Sequence, residues 1–475
     1  MFGEADGVMS GPHGTPRPGV RPRPGLAAAR KRLGMTQEQA AEAAGVSTTT
    51  WARWEQGTQD LRANSRARLV ELFGVSPEEV DRWVDGEQFE SVAPWLSSGA
   101  GYASMAVTVE SCVELWRWDV DPARRRILAS MPFVPAVLGE WLLSWRLDPG
   151  DETRARTGSG PSVGVEDVQR IQQAHTAFDQ MDRQFGGGLV RPAVVAYLDD
   201  QVTPLLNGKY TDEVGGQLVT AAALMTALAG WEAFDLGMQG LAQMHYGQAL
   251  KLAKAADDEL TAARVLSIMA QQAIDLDQPQ WAVRLAAAAH RAGLQAQAPP
   301  RVVAMLLLRE ATAAALSVAS ADNRDAHTEK RVRRLVSSAE TTFAKAGPND
   351  EEPAWIMYFG PAEFAAQAGY CWQLIGDHKS AIACAETAVR GFGSRFPRAA
   401  QFNTVHVATS RLGLGELDGA LESAKAAIPM ANTLTSRRSL DLVKAFDAKL
   451  GPYRGEQKVK EWRDYMRAEL RTTGS

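Results

Sequence analysis

Histidine and cysteine, which often serve in catalytic and metal sites, form no recognisable constellation in this sequence. The seven His residues are scattered, and no His-Glu-x-x-His motif occurs. Cys112, Cys371 and Cys384 lie far apart, which favours reduced, buried thiols over a disulfide framework or a zinc site. A Gly-x-x-x-x-Gly-Lys-Ser/Thr phosphate loop is also missing. We therefore predict no catalytic residues, no metal and no cofactor.

The overall composition is that of a globular protein. The 475 residues carry a formal net charge of −5, and 45% of them are hydrophobic. This length allows about three domains. Because the chain is not basic overall, any nucleic-acid-binding surface has to be local. The apolar stretch 127–145 contains two prolines and Glu140, so we favour a buried helix or helical hairpin over a membrane span, and we expect a cytoplasmic protein.

Helix signals are dense in residues 26–84, where we predict five short helices. Thr36 and Gln39 have the spacing of a capping box, and Ser47 is a typical N-cap residue. Gly45 stands between these two helix starts, at a position suited to a turn with positive φ. Two short helices joined by a glycine-containing turn predict a helix-turn-helix.

The run RKRLGMTQEQAAEAAGVSTTTWARWEQG, residues 30–57, resembles the lambda-repressor/Cro-like helix-turn-helix family, also called the xenobiotic-response-element family. The Thr-Gln opening, the Ala-Gly-Val-Ser turn and the Trp-Glu-x-Gly ending carry this resemblance. It implies double-stranded DNA as a partner and covers about residues 26–84.

The resemblance also implies which side chains contact DNA. Arg53 matches a position that reads base edges and can donate to guanine O6 and N7, while Thr48 or Thr49 can contact a thymine methyl. Trp51 and Trp54 match inward-facing core positions. The residues assigned to DNA contacts are Gln37, Thr48, Thr49, Arg53, Gln56 and Arg62.

The charge of this module bears on its affinity. Residues 26–75 carry seven Lys or Arg and five Asp or Glu residues, a net charge of +2. One module is therefore expected to bind weakly, which favours a homodimer on two half-sites. Arg30 and Glu55 match a structural ion pair of the family. Arg66 and Arg68 are either phosphate neighbours or part of a solvated helix face.

Two segments flank this module. Residues 1–25 are rich in Gly, Pro and Arg and are expected to be a disordered basic tail, either solvated or reaching a DNA minor groove. Residues 85–164 are expected to form a linker and a helical connecting region. The triple glycine at 186–188 has no phosphate-loop flanks and is interpreted as a helix stop.

Small and apolar residues recur from Val165 onward in a pattern that predicts paired helices. Each predicted second helix has such residues at i, i+4 and i+7, with another small residue twelve positions before the first. The four triplets are Ala242–Tyr246–Ala249, Ala282–Ala286–Ala289, Ala381–Ala385–Ala388 and Ala420–Ala424–Ala427. The preceding small residues are Gly230, Ala270, Gly369 and Ala408. A poorer unit is expected between Arg301 and Ala346.

This pattern resembles degenerate tetratricopeptide repeats with a period longer than 34 residues. The stretches 185–192 and 228–235 also resemble actinobacterial regulators that join a helix-turn-helix to repeats. We therefore predict an all-α protein, with a tetratricopeptide-like α-solenoid over residues 165–475.

A solenoid of this kind presents a concave face to a ligand. Aromatic, amide and charged side chains on that face suit a short peptide or a small polar molecule. The residues predicted to bind such a ligand are Trp231, Asp235, Arg264, Gln271, Tyr370 and Gln373.

These features together favour a transcription regulator whose repeats sense an effector or mediate dimerisation. The alternative is a protein–protein adaptor with a weak or vestigial DNA-binding module. An enzyme has no motif behind it.

Overall fold

The computed structural model describes residues 23, 26–27, 29–30, 35–59, 61, 63–73, 80, 101–102, 104–151, 153–157, 160–320, 326–347 and 351–471. The chain divides into two compact units, residues 1–99 and residues 100–475. Apart from two isolated bridges, every secondary-structure element in the described ranges is a helix, so the all-α prediction is confirmed. Most of the predicted tail and of the linker before residue 101 lie outside the described residues, as does Arg62.

The N-terminal unit is organised around short helices. Those with described bounds are α1 (Gln37–Ala43), α2 (Thr48–Glu55) and α3 (Ala63–Phe73). Helical residues at 26–27, 29–30 and 80 fall in the first and last of the five predicted helices.

Local signals set the boundaries of α1 and α2 as predicted. The Thr36 hydroxyl accepts from the Gln39 N–H at 3.2 Å, and the Gln39 side chain accepts from the Thr36 N–H at 2.9 Å. Ser47 caps α2 by accepting from the Thr50 N–H at 3.1 Å. Gly45 takes φ +66°, which an L side chain rarely adopts, so the turn between the helices needs glycine there.

The second unit begins with helices that precede the repeats. These are α4 (Met105–Val120), α5 (Pro122–Ala129), α6 (Val137–Leu147), α7 (Val165–Phe185), α8 (Gly187–Tyr197) and α9 (Thr203–Leu206). A π-helical turn, Leu198–Val202, joins the last two.

Five helix pairs follow, and the members of each pair pack along their lengths. They are α10 (Asp212–Asp235) with α11 (Gln239–Ala256), α12 (Glu259–Asp275) with α13 (Pro279–Gln295), α14 (Pro300–Ala319) with α15 (Ala326–Phe343), α16 (Pro361–Leu374) with α17 (His378–Phe392), and α18 (Pro397–Gly413) with α19 (Leu417–Asn432). Helices α20 (Arg437–Lys449) and α21 (Gln457–Arg471) complete the unit.

The predicted repeat motifs fall on these pairs. The four triplets lie on α11, α13, α17 and α19, and the small residues before them lie on α10, α12, α16 and α18. At Gly230 a Cβ atom would come within 2.7 Å of the Tyr246 ring, so this crossing depends on a residue without a side chain. The helical-repeat architecture is thus confirmed, and α14 with α15 forms the further unit expected after Arg301.

Residues 105–147 pack on the repeats. Trp116 of α4 is fully buried in the core shared with α10 and α11. Trp141 of α6 covers Gly247, where a Cβ atom would lie 2.7 Å from the indole ring. These helices, expected to be connecting structure, therefore belong to the compact second unit.

The segments that flank the five helix pairs meet. The N–H of Thr435 donates to the Phe185 carbonyl at 3.2 Å, and the N–H of Gly188 donates to the Thr435 carbonyl at 3.1 Å. Gly186 ends α7 at φ +89°, which confirms the predicted helix stop. The absence of side chains at 186–188 also admits this C-terminal segment, since a Cβ at Gly188 would meet Thr435 at 2.8 Å.

Among the described helices, α10 and α14 are long and apolar enough to cross a membrane by length and composition. Within the second unit, 67% and 78% of their most apolar windows are buried, respectively. Both are first helices of their pairs, and their apolar surfaces form the repeat core.

Candidate functional site

The outer face of α2 carries polar side chains, and its inner face carries indoles. Thr48, Thr49 and Arg53 are exposed, whereas Trp51 and Trp54 are 0% and 3% exposed. The predicted inward orientation of both indoles is confirmed. We call the exposed surface formed by Thr48, Thr49, Arg53 and Gln56 the recognition face.

Glu55, at the end of α2, ties the recognition face to the rest of the unit. Its carboxylate accepts from Arg30 Nε at 2.6 Å, from Gln37 Nε2 at 2.7 Å and from Trp51 Nε1 at 2.8 Å. Burial raises the pKa of Glu55, but the hydrogen bonds from these three donors outweigh burial and hold the pKa below its ordinary value. The predicted Arg30–Glu55 ion pair is therefore present and holds α2 against the helical segment that contains Arg30, whereas Gln37 links α2 to α1.

Two other predicted positions have roles inside the unit. Gln37, predicted to contact phosphate, donates to Glu55 through its side-chain amide. Arg68 donates to the Ala44 carbonyl at 3.4 Å and lies beside Gly45. Neither contact was predicted from the sequence.

A cavity of about 830 Å³ lies inside the second unit, and we call it the repeat cavity. The first helix of each pair lines it, together with α7 and α20. Of the predicted ligand-binding residues, Trp231, Arg264, Gln271 and Tyr370 line this cavity.

Asp235 and Gln373 are not among the residues that line the cavity. Asp235 is fully buried and accepts from Arg398 at 2.9 Å and from Ser436 at 2.8 Å. Gln373 accepts from Ser410 at 3.4 Å and lies 3.1 Å from the ring nitrogen of His406. Both side chains are committed to contacts between repeats.

Aromatic side chains form much of the cavity wall. They are Trp231, Phe234, Trp355, Tyr358, Tyr370, Phe392, Phe396 and Phe402. Cations stack on several of them. The Arg183 guanidinium lies 3.7 Å from the centroid of Tyr358, and that of Arg438 lies 4.3 Å from the centroid of Phe234.

A buried ion-pair cluster joins the ends of the array beside the cavity. Arg398 of α18 donates to Asp182 of α7 at 2.6 Å and to Asp235 of α10 at 2.9 Å. Burial alone would lower the pKa of Arg398, but the two carboxylates raise it above its ordinary value. Arg438 of α20 adds a second link, to Asp275 at 2.6 Å.

Histidine contributes polar but uncharged groups to the cavity. Burial lowers the pKa of His406 to about 4, and burial also lowers the pKa of His175. The His406 imidazole is therefore neutral near pH 7 and packs against Tyr370 with ring centroids 4.8 Å apart. Within the described part of the chain, no group of three His, Cys, Asp or Glu side chains is arranged to hold a metal.

Residues 26–83 match the family model described as a helix-turn-helix domain. The N-terminal unit contains a helix-turn-helix domain. No curated protein matches the chain. Among solved structures, a Rap protein complexed with competence and sporulation factor is 16% identical, with a TM-score of 0.39 over 78% of this chain and 98% of that one.

The sequence predicted more of the residues of the helix-turn-helix domain than of the cavity. Local capping and turn signals located the helices of the domain. Sequence reasoning missed Arg398 and Arg438, because no local motif marks an arginine that pairs with a carboxylate several repeats away. It also missed Arg309, because no local motif marks it as a cavity residue.

Proposed function

We propose that this protein is a transcription regulator that binds specific duplex DNA through the recognition face. The observation that carries this proposal is the exposure of Thr48, Thr49 and Arg53 on α2 while Trp51 and Trp54 are buried. The recognition helix of a helix-turn-helix lies in the major groove with such side chains toward the bases. On its sequence motif, we place the domain in the lambda-repressor/Cro-like group.

Arg53 is the proposed main base-reading residue. A guanidinium that donates two hydrogen bonds to guanine O6 and N7 discriminates against other bases by about 1–3 kcal/mol. Thr48 and Thr49 contribute weaker contacts to thymine methyl groups. Gln37, Gln56 and Arg62 are proposed to contact phosphates, which position the domain without reading sequence.

A homodimer on two half-sites is the proposed binding form, because the small net charge of one domain gives weak binding. The repeat cavity is the proposed sensor of a peptide or small polar effector. An effector that prefers one arrangement of the repeats shifts the population of dimers that can bind DNA. We propose that this occurs in the cytoplasm, with no catalytic step.

Selection of full-length protein against a random duplex pool tests the proposal. We expect the wild-type protein to enrich one motif, and we expect Arg53→Ala to lose it. Arg53→Lys is the matched control, since it keeps the charge but not the two-pronged donor. It should retain salt-sensitive binding while losing most sequence preference.

Enrichment of the same motif by wild-type and Arg53→Ala proteins contradicts this assignment of the recognition face. If no motif is enriched and the protein instead purifies with a stoichiometric partner, the adaptor alternative replaces the regulator.

A further inference from the structure

Arg264 and Arg309 line the repeat cavity, and neither forms a salt bridge with a carboxylate among the described residues. Arg309 is 6% exposed, and it donates to the side-chain oxygen of Gln271 and to Ser267 Oγ. Arg264 donates to the Tyr358 hydroxyl at 3.1 Å. Buried arginines are normally paired with acidic groups, because an unpaired charge is costly to remove from water.

The other arginines of the cavity have such partners. Arg183 pairs with Asp179 at 2.7 Å, Arg438 pairs with Asp275 at 2.6 Å, and Arg398 pairs with two buried aspartates. The missing partner is therefore specific to Arg264 and Arg309 and is not a general property of this wall.

The two unpaired cations also act on each other. Burial lowers the pKa of Arg309, and the positive charge of Arg264 lowers it further. Asp275 and Glu363 are the carboxylates whose charge reaches Arg309, and Asp179, which is paired with Arg183, is the carboxylate that interacts with Arg264. Asp275 is already bound to Arg438 and Gln271, and Glu363 accepts from Gln367 at 3.0 Å. An anion between the two guanidinium groups would relieve this repulsion.

The walls beside these arginines suit a carbon chain with amide groups. Trp355 and Tyr358 each lie with ring centroids 5.4 Å from the Arg264 guanidinium carbon. Gln367 also lines the cavity. Within the described part of the chain its side-chain carbonyl oxygen is buried without a hydrogen-bond partner, so it can accept from a ligand N–H. The cavity volume lies toward the upper end of the range of about 300–1,000 Å³ for drug-sized ligands.

We infer that the repeat cavity binds its ligand through a carboxylate held between Arg264 and Arg309, with the adjoining chain against Trp355 and Tyr358. Guanidinium and carboxylate groups form strong charge-assisted hydrogen bonds. The C-terminus of a short peptide and a free organic acid share this chemistry, and the open acceptor of Gln367 favours the peptide. The inference rests on the proposed ligand-sensing role of the repeats.

Affinity selection with the full-length protein tests this inference. The probes are a random pentapeptide library with free C-terminal carboxylates, the same library with C-terminal amides, and a set of small mono- and dicarboxylic acids. We expect free-acid peptides to be retained about tenfold better than their amides, a difference of about 1.4 kcal/mol. Selective retention of small acids supports the carboxylate site and shows that its ligand is a free organic acid and not a peptide.

Variants locate the site. Arg264→Gln should lower retention of the selected acids about tenfold or more, whereas Arg264→Lys should recover part of it. Arg284→Gln is the matched control, because Arg284 stacks on Trp281 at 5.0 Å, is exposed and does not line the cavity. Arg309→Gln is a second test, and its thermal unfolding checks that the buried substitution has left the fold intact.

Equal retention of acids and amides overturns the inference, as does failure of every probe to bind at up to about 1 mM. Unchanged binding by Arg264→Gln and by folded Arg309→Gln also overturns it. The DNA selection separates this result from the proposed function. A selected DNA motif without carboxylate binding refutes only the cavity inference, whereas carboxylate binding without a DNA motif refutes only the regulator.

Discussion

The recognition face and the repeat cavity differ in how far apart in sequence their residues lie. The face extends from Thr48 to Gln56 and depends on a carboxylate, Glu55, inside the same segment. The cavity depends on contacts such as that of Arg398 with Asp182, which are 216 positions apart. A surface of the first kind is set by one short motif, whereas a site of the second kind forms only when the whole array closes.

Removing Arg398, the cation at the centre of the buried ion-pair cluster, should have the largest effect on stability. Arg398→Ala leaves Asp182 and Asp235 buried without their partner, and we expect a loss of about 3–5 kcal/mol in the stability of the second unit. Calorimetry of the full-length protein measures the shift in its unfolding temperature. The control is Arg437→Ala, which removes an exposed i,i+4 pair with Asp441 and should cost at most about 0.5 kcal/mol. Equal shifts would show that the buried cluster does not hold the array closed.

The two indoles under the recognition face offer a sharper test of the local site. Trp51 donates to Glu55, whereas the Trp54 Nε1 atom is buried without a hydrogen-bond partner among the residues that the structure describes. Phenylalanine has a smaller ring than tryptophan at either position. Only Trp51→Phe also loses a hydrogen bond to a charged group, which is worth about 1.5–3 kcal/mol. Hydrogen exchange of peptides from α2 should therefore rise more in Trp51→Phe. A larger rise in Trp54→Phe would contradict the conclusion that the Trp51–Glu55 hydrogen bond stabilises α2.

Two glycines on α10 test how closely the repeat helices cross. Gly230→Ala places a methyl group against Tyr246 and should cost about 1–3 kcal/mol. A Cβ atom at Gly216 meets nothing within 4 Å, so Gly216→Ala should stabilise the helix by about 0.5–1 kcal/mol. Calorimetry should show shifts of opposite sign. Shifts of the same sign would contradict the packing of α10 on α11.

Acid should lower the stability of the N-terminal unit, by less than the substitutions above. The pKa of Glu55 in the folded protein lies below its ordinary value of 4.5, so its stabilising effect is complete above about pH 5 and is lost as pH falls through the folded value. A ¹⁹F signal from fluorotryptophan at position 51 can follow unfolding of this unit during acid titration. Glu55→Gln should be less stable at neutral pH and should lose part of the wild-type pH dependence. An identical pH dependence in both proteins would contradict the lowered pKa.

Sequence reasoning succeeded where neighbouring residues determine the structure. Thr36, Gly45 and Ser47 predicted helix boundaries because caps and turns depend on a few adjacent residues. The small-residue spacing likewise predicted the helix pairs, since close crossing requires small side chains. Arg30 and Glu55 were identified through the family resemblance, and the structure contains their ion pair.

The same reasoning could not locate the chemistry of the cavity. It placed Asp235 on the concave face, but the return of Ser436 and Arg398 to this position buries its carboxylate. It missed Arg309 because an arginine in an apolar helix carries no local sign that it lines a cavity. These outcomes depend on how distant repeats stack, which the spacing within one repeat does not determine.

A base-by-base scan of the selected DNA site tests the central claim most directly. Each base pair is replaced in turn, and the affinities of wild-type, Arg53→Lys and Arg53→Ala proteins are compared at one salt concentration. Arg53→Ala should abolish discrimination, about 1–3 kcal/mol, at one guanine in each half-site, and this guanine should account for most of the wild-type sequence preference. Uniform weakening at every position, or an unchanged profile, would contradict base reading by the recognition face.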